Sequence, residues 1–135
     1  MNIDKVIVIT SALIKDRRGK VLLLQRSKKS SHPGFWQLVE GKIVSGESPT
    51  EALKREVKEE TKTKVSKLIL NSVFYNEIEA KGLNYLCFRI VFNTIISSSK
   101  IRIGDEHVSF GWFSQSEIAK LALLPGTTDI FDGSI

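Results

Sequence analysis

Glu56, Glu59 and Glu60 stand three and four residues apart in the segment Arg55-Glu56-Val57-Lys58-Glu59-Glu60-Thr61. An α-helix turns about 100° per residue, so on a helical wheel these carboxylates and Ala52 share roughly a quarter of the circumference. Leu53 and Val57 lie beside Glu60, Lys54, Lys58 and Lys62 fall nearly opposite, and Arg55 flanks the glutamates at their other edge. The apolar stripe that must pack therefore borders carboxylates and not lysines. Like charges at i,i+3 and i,i+4 destabilise a helix by ~0.2–0.5 kcal/mol each when exposed, and by more beside a core that removes water. Two chemistries account for such a face. One is a solvated acidic surface with Arg55 as its only counter-ion. The other is a shell for a hard divalent cation such as Mg²⁺, which takes oxygen ligands, keeps several waters and favours sites completed by substrate phosphates.

The elements that must position this face are legible around it. Ser48-Pro49-Thr50-Glu51 combines a serine N-cap, proline at the first helical position and a glutamate placed for a capping box, so the helix is predicted over residues 49–61. Gly41 to Gly46 reads as the loop that feeds it. Upstream, the β-branched runs Lys5–Lys15 and Lys20–Arg26 flank Asp16-Arg17-Arg18-Gly19 and read as an antiparallel hairpin. Ser27 to Gly34 reads as an exposed loop, and Phe35 to Val39 as a short strand. Strands are predicted over about residues 65–76 and 84–95, separated by Glu79-Ala80-Lys81-Gly82, and a last one over His107–Phe113. A second helix, Gln115 to Leu123, is predicted to end before Pro125-Gly126. The class is α+β, a mixed sheet with helices packed on it.

Composition narrows the setting. At 135 residues, with 41% hydrophobic and 26% charged residues, the chain is sized for one domain, and collagen-like and disordered classes are excluded. The longest nearly apolar stretch, Val6 to Ile14, is about half the ~20 residues of a membrane span. It lacks a small-x-small cleavage site, so it reads as a strand and not as a signal peptide. Cys87 is the single cysteine and has no partner for a disulfide or a zinc site, which fits a cytoplasmic setting. A net charge of +5 fits anionic partners and equally a lysine-rich solubilising surface.

Gly41, five residues, Glu47, seven residues and then Arg55-Glu56-Val57-Lys58-Glu59-Glu60-Thr61 resembles the Nudix box. That pattern reads Gly, five, Glu, seven, Arg-Glu-aliphatic-x-Glu-Glu-x-Gly-aliphatic, and six of its seven fixed polar or glycine positions match here, with Val57 as the aliphatic residue. The resemblance extends over nearly the whole chain. It implies a Nudix-type α/β/α sandwich with a mixed central β-sheet, a single domain over residues 1–135, and hydrolysis of a nucleoside diphosphate linked to another group X. It also implies Mg²⁺ as the cofactor, with Mn²⁺ as the alternative ion. Glu56, Glu59 and Glu60 would form the metal shell with the carbonyl of Gly41. Arg55 would orient those carboxylates, and Glu47 would hold Arg55 or the loop.

The chain departs from the pattern at two places. Lys62 stands where the family has glycine, with Thr63 in an aliphatic position, so the helix end is expected to be strained. Val39-Glu40 replaces the usual Pro-Gly before Gly41 and adds a carboxylate. A fourth carboxylate often completes such sites, and Glu106 is the expected one, with Asp105 second and Glu40 after them. His107 at a strand start is read as structural. Arg26 is expected near the phosphate tail, with Lys28 and Lys29 in a solvated loop; Trp36, Phe74, Tyr75, Tyr85, Phe88 and Trp112 are the aromatic residues that could stack a base, most of them needed for the core, and Trp36 is the one assigned to the site. The expected substrate is a small-molecule nucleotide, most simply a nucleoside triphosphate. An RNA 5′ end and a non-catalytic nucleotide-binding regulator are the alternatives, the protein acting as a monomer or a homodimer without a membrane.

Overall fold

A computed structural model describes residues 2–132, so the expected unit of 1–135 reaches beyond the described residues at both ends. Its strands are β1 (Lys5–Ile14), β2 (Val21–Arg26), β3 (Trp36–Gln37), β4 (Val39–Lys42), β5 (Val65–Ala80), β6 (Leu83–Ile96) and β7 (His107–Phe113). Its helices are α1 (Pro49–Thr61), α2 (Gln115–Ile118) and α3 (Thr127–Phe131). A four-stranded sheet runs β4-β1-β6-β5, with β1 parallel to β6 and the other pairs antiparallel, and a three-stranded antiparallel sheet runs β3-β2-β7.

Strand alternation explains the layers. Ala12, Ile14, Leu22 and Leu24 turn one way and join Leu53 and Val57 of α1 in one core cluster. Leu13, Val21 and Leu23 turn the other way and join Ile118 of α2 and Ile130 of α3. Helices thus cover both faces of a sheet layer, which is the expected α/β/α sandwich with a mixed sheet at its centre. Residues buried on both faces read as continuous apolar runs, as in Ala12-Leu13-Ile14 at the end of β1.

The β1–β2 hairpin is corrected. Its turn forms, with Gly19 N–H donating to the Asp16 carbonyl and Gly19 at φ 79°. Only one bridge, Lys15 to Val21, joins the two strands, because both edges of β1 are already taken by β4 and β6. The single strand expected over 35–39 divides at Leu38, where the chain leaves β2 for β1, and Gly41 lies inside β4 and not in a loop. The β5–β6 turn is only Lys81-Gly82, both with positive φ, which is the geometry of a tight two-residue hairpin. The helix expected over 115–123 stops at Ile118. Beyond it the backbone pairs in strand fashion with Trp36, which accepts from Leu124 and donates to Ala122, and α3 follows where no helix was expected.

Helix α1 matches its expectation at both ends. Ser48 and Glu51 form the reciprocal capping box. Lys62 takes the left-handed cap at φ 61°, donating its N–H to the Lys58 carbonyl and its Nζ to the Glu59 carbonyl at 2.8 Å. A side chain in that conformation costs roughly 1–2 kcal/mol. Lys62→Gly is therefore expected to raise stability by about 0.5–1 kcal/mol in urea unfolding; an unchanged or lower midpoint would contradict the strain.

Candidate active site

Helix α1 packs its Leu53–Val57 side on the sheet, and this brings its glutamate edge against β4 and the loop before β7. A cavity of about 610 Å³ opens there, walled by Glu56, Glu59 and Glu60 from α1, by Gly41 from β4, and by Asp105 and Glu106. The residues expected to form the shell are thus brought together with the expected fourth carboxylate.

Arg55 organises the open side. Its Nε and Nη2 donate to the two carboxylate oxygens of Glu47 at 2.6 and 3.0 Å, its Nη1 donates to Glu56 at 2.6 Å, and Nη2 also reaches the Lys42 carbonyl at 3.2 Å. Glu59 lies 3.4 Å from Nη1. The forked guanidinium matches a carboxylate with two parallel hydrogen bonds, which fixes geometry as well as charge. The Glu47 carboxyl is held below its usual range by its hydrogen bond to Arg55, and Arg55 is held more firmly protonated in return. Glu47 also accepts from Val44 N–H at 3.2 Å, so it ties Arg55 to the loop.

Gly41 is required for room. Its backbone is ordinary, but an added Cβ would lie 2.1 Å from the Glu56 carboxyl carbon, so only glycine lets that side chain lie over β4.

Glu60 is the exception in this set. It is 9% exposed, its Oε1 has no hydrogen-bond partner, and no cation pairs with it among the described residues. Burial, the charge of Glu56 and a hydrogen bond with it, and the charges of Glu40 and Glu106 push the Glu60 carboxyl up to about 10. Among the described residues no three acidic, histidine or cysteine side chains are closed around one point; Glu56 and Glu59 lean to Arg55. The buried oxygen left without a partner in this cavity is Glu60 Oε1, with the exposed Glu106 carboxylate across from it. An orphaned, desolvated carboxylate oxygen surrounded by further carboxylates is a hard anionic pocket, and it fits a divalent cation.

Glu40 is not free to join them. Its carboxylate is buried and accepts from Arg89 Nη2 at 3.1 Å and Nε at 3.3 Å, and from Ser11 Oγ at 3.0 Å. Gly126 makes space for that guanidinium, since a Cβ there would lie 2.1 Å from Arg89 Nη1. Arg89 and Ser11 were missed in the sequence; the only signal was the unusual glutamate at 40. Breaking a buried ion pair strands a charge, at a cost of ~3–5 kcal/mol. Arg89→Met is expected to lower unfolding stability by that amount, and a loss under about 1 kcal/mol would show that the pair is not holding β4 on β1 and β6.

A second cavity of about 370 Å³ adjoins the first through Glu40, Glu60, Asp105, Glu106 and His107. Arg26, Lys29, Ser30 and Gln37 line its far wall. Arg26 donates to Gln37 Oε1 and to the Ser31 carbonyl, so it braces the 27–34 loop as well as facing the cavity. Burial lowers the His107 imidazole below its usual range, in keeping with a neutral structural role. Trp36 is not brought to either cavity. It packs edge-on against Phe113, with centroids 5.0 Å apart, because its strand pairs with β2 on the side of the second core cluster.

The chain belongs to the Nudix family: the family model described as NUDIX domain matches residues 6–132. It is 25% identical over 126 residues to the nucleoside triphosphatase NudI of Escherichia fergusonii, covering 85% of this chain and 86% of that protein. It is 43% identical over 56 residues to the CTP pyrophosphohydrolase of Escherichia coli, covering 42% of this chain and 41% of that enzyme. The MutT Nudix hydrolase of Burkholderia pseudomallei superposes with a TM-score of 0.80 at 25% identity, over 98% of this chain and all of that one. The chain spans less than half the length of the first curated relatives it matches. No helix among the described residues is long and apolar enough to cross a membrane.

Proposed function

We propose that this chain hydrolyses the diphosphate linkage of a nucleoside triphosphate with the help of Mg²⁺, for which Mn²⁺ can substitute. The observation that carries this reading is the orphaned, buried oxygen of Glu60 in an acidic cavity that opens onto a wall bearing Arg26 and Lys29. Relatives named for nucleoside triphosphate and CTP hydrolysis support it.

Glu56, Glu59, Glu60 and the Gly41 carbonyl would hold the cation. Bound there, it would neutralise diphosphate charge and acidify a water. Arg55 is a positioning residue: gripped by Glu47 and the Lys42 carbonyl, it presents Glu56 and Glu59 to the cavity. Glu106 faces the α1 carboxylates across the cavity, and its carboxylate accepts the proton of the attacking water. Arg26 and Lys29 meet the phosphates that extend beyond the scissile bond. Val39, fully buried in one cluster with Leu53 and Val57, seats the start of β4 under α1.

The test is release of phosphate or pyrophosphate, with Mg²⁺, from a panel of nucleoside triphosphates, oxidised triphosphates, dinucleoside polyphosphates, ADP-ribose and nucleotide-sugars. The reading expects a triphosphate to give the highest kcat/KM. Turnover confined to ADP-ribose, dinucleotides or nucleotide-sugars would overturn the triphosphate assignment.

A further inference from the structure

The opposite end of β1 and β2 carries a second concentration of charge, of the other sign. Lys15, Arg17 and Arg18 project from the β1–β2 turn, and all three are exposed. Across from them, Ser97 N–H donates to the Lys64 carbonyl at 2.8 Å, and Lys67 pairs with Ile95 on β6. Lys64 and Lys67 are exposed too. None of these five cations has an ion pair among the described residues; the one ion pair near the turn is Lys20–Glu117 at 3.8 Å. Asp16 lies among them, its Oδ1 accepting the N–H groups of Arg18 and Lys20 to close the turn, so five cations face one carboxylate. A solubilising surface balances the two signs, and here the cations are in excess.

The end is also recessed. A cavity of about 640 Å³ lies between the turn and Ser97–Ser99, lined also by Lys15, Asp16, Arg17, Arg18 and half-buried Trp112. A neighbouring cavity of about 300 Å³ continues from Lys15 to Lys67. Neither shares a lining residue with the catalytic cavities, and the length of β2, about 17 Å, separates the two ends.

We propose that this end binds the phosphodiester backbone of a single-stranded polynucleotide. The cations are spread along two adjoining recesses, which suits successive phosphates better than one. Arginine forks and lysine point charges both bind phosphate oxygens, and the serine hydroxyls add donors. The Trp112 wall gives an unpaired base an aromatic surface, which a duplex does not offer. The inference is independent of the metal site.

A 12-nucleotide single-stranded RNA bearing a 5′-hydroxyl and a fluorophore has no diphosphate to hydrolyse, and competition with a nucleoside triphosphate separates its anisotropy at this end from any binding at the Arg26–Lys29 wall. Contact with three or four phosphates predicts a log K against log[salt] slope of about −2 to −3, which weakens binding about 20–50-fold between 50 and 200 mM NaCl. Arg17→Glu/Arg18→Glu is expected to weaken binding at least tenfold and to flatten the slope. Lys15→Gln should give a smaller loss in the same direction, and thermal melts verify folding of each variant. Lys81→Gln, an exposed cation in the β5–β6 turn at the far end of β6, should bind the RNA as the unaltered protein does. Absence of binding at 50 mM NaCl, binding unchanged in both basic variants, or displacement by an equal phosphate concentration of nucleoside triphosphate would each overturn the proposal.

Discussion

Glu60→Gln is expected to lower kcat by ~10²–10⁴-fold while making the metal-free protein more stable. The two effects share one cause. In the folded chain the Glu60 carboxylate is buried beside Glu56, Glu40 and Glu106 with one oxygen unpartnered, so ionising it costs free energy that only a cation can return. Glutamine keeps the volume and removes the charge, which relieves the cost and removes the ligand. Thermal melts should show the variant above the unaltered chain in EDTA and below it in Mg²⁺. Lys58→Gln is the control, because Lys58 lies nearly opposite on the helix and is exposed; its turnover should stay within about twofold of the unaltered protein. Equal losses in the two variants would contradict a site confined to one face of α1.

Glu106→Gln should reduce kcat by ~10²-fold with stability changed by less than about 0.5 kcal/mol. Both Glu106 and Asp105 are exposed and both line the cavity, and of the two it is Glu106 whose charge is among the main causes that raise Glu60. Asp105→Asn is therefore expected to be nearly silent. Steady-state kinetics on the pair decides between neighbours: loss in Asp105→Asn with activity kept in Glu106→Gln moves the proton acceptor one residue, and two silent variants remove it from this loop.

The helix and its immediate partners were legible because their signals are local. A capping box, a glutamate face and the spacing from Gly41 to Arg55 are written within one short segment, and the structure reproduces α1 from Pro49 to Thr61. Gly41 was legible as a fixed position, though its reason, the Glu56 carboxyl lying where a Cβ would be, is a contact between elements. Strand partners were less legible. Two apolar runs joined by a turn look like a hairpin whether or not the first has a free edge, and β1 has none. The Glu40–Arg89 pair, 49 residues apart, has no periodicity to betray it. Trp36 read as a candidate platform because an aromatic residue beside a motif carries no mark of which sheet face it will take.

The central claim is that the acidic cavity works only with a divalent cation bound, and the most direct measurement is turnover of a nucleoside triphosphate as Mg²⁺ is titrated at constant ionic strength. Saturating activation is expected, together with full loss in millimolar EDTA and recovery on excess Mg²⁺. The melting temperature should rise over the same concentrations, since a ligand at 100 times its Kd contributes about 2.7 kcal/mol to the folded state. Turnover unchanged by millimolar EDTA would contradict the account.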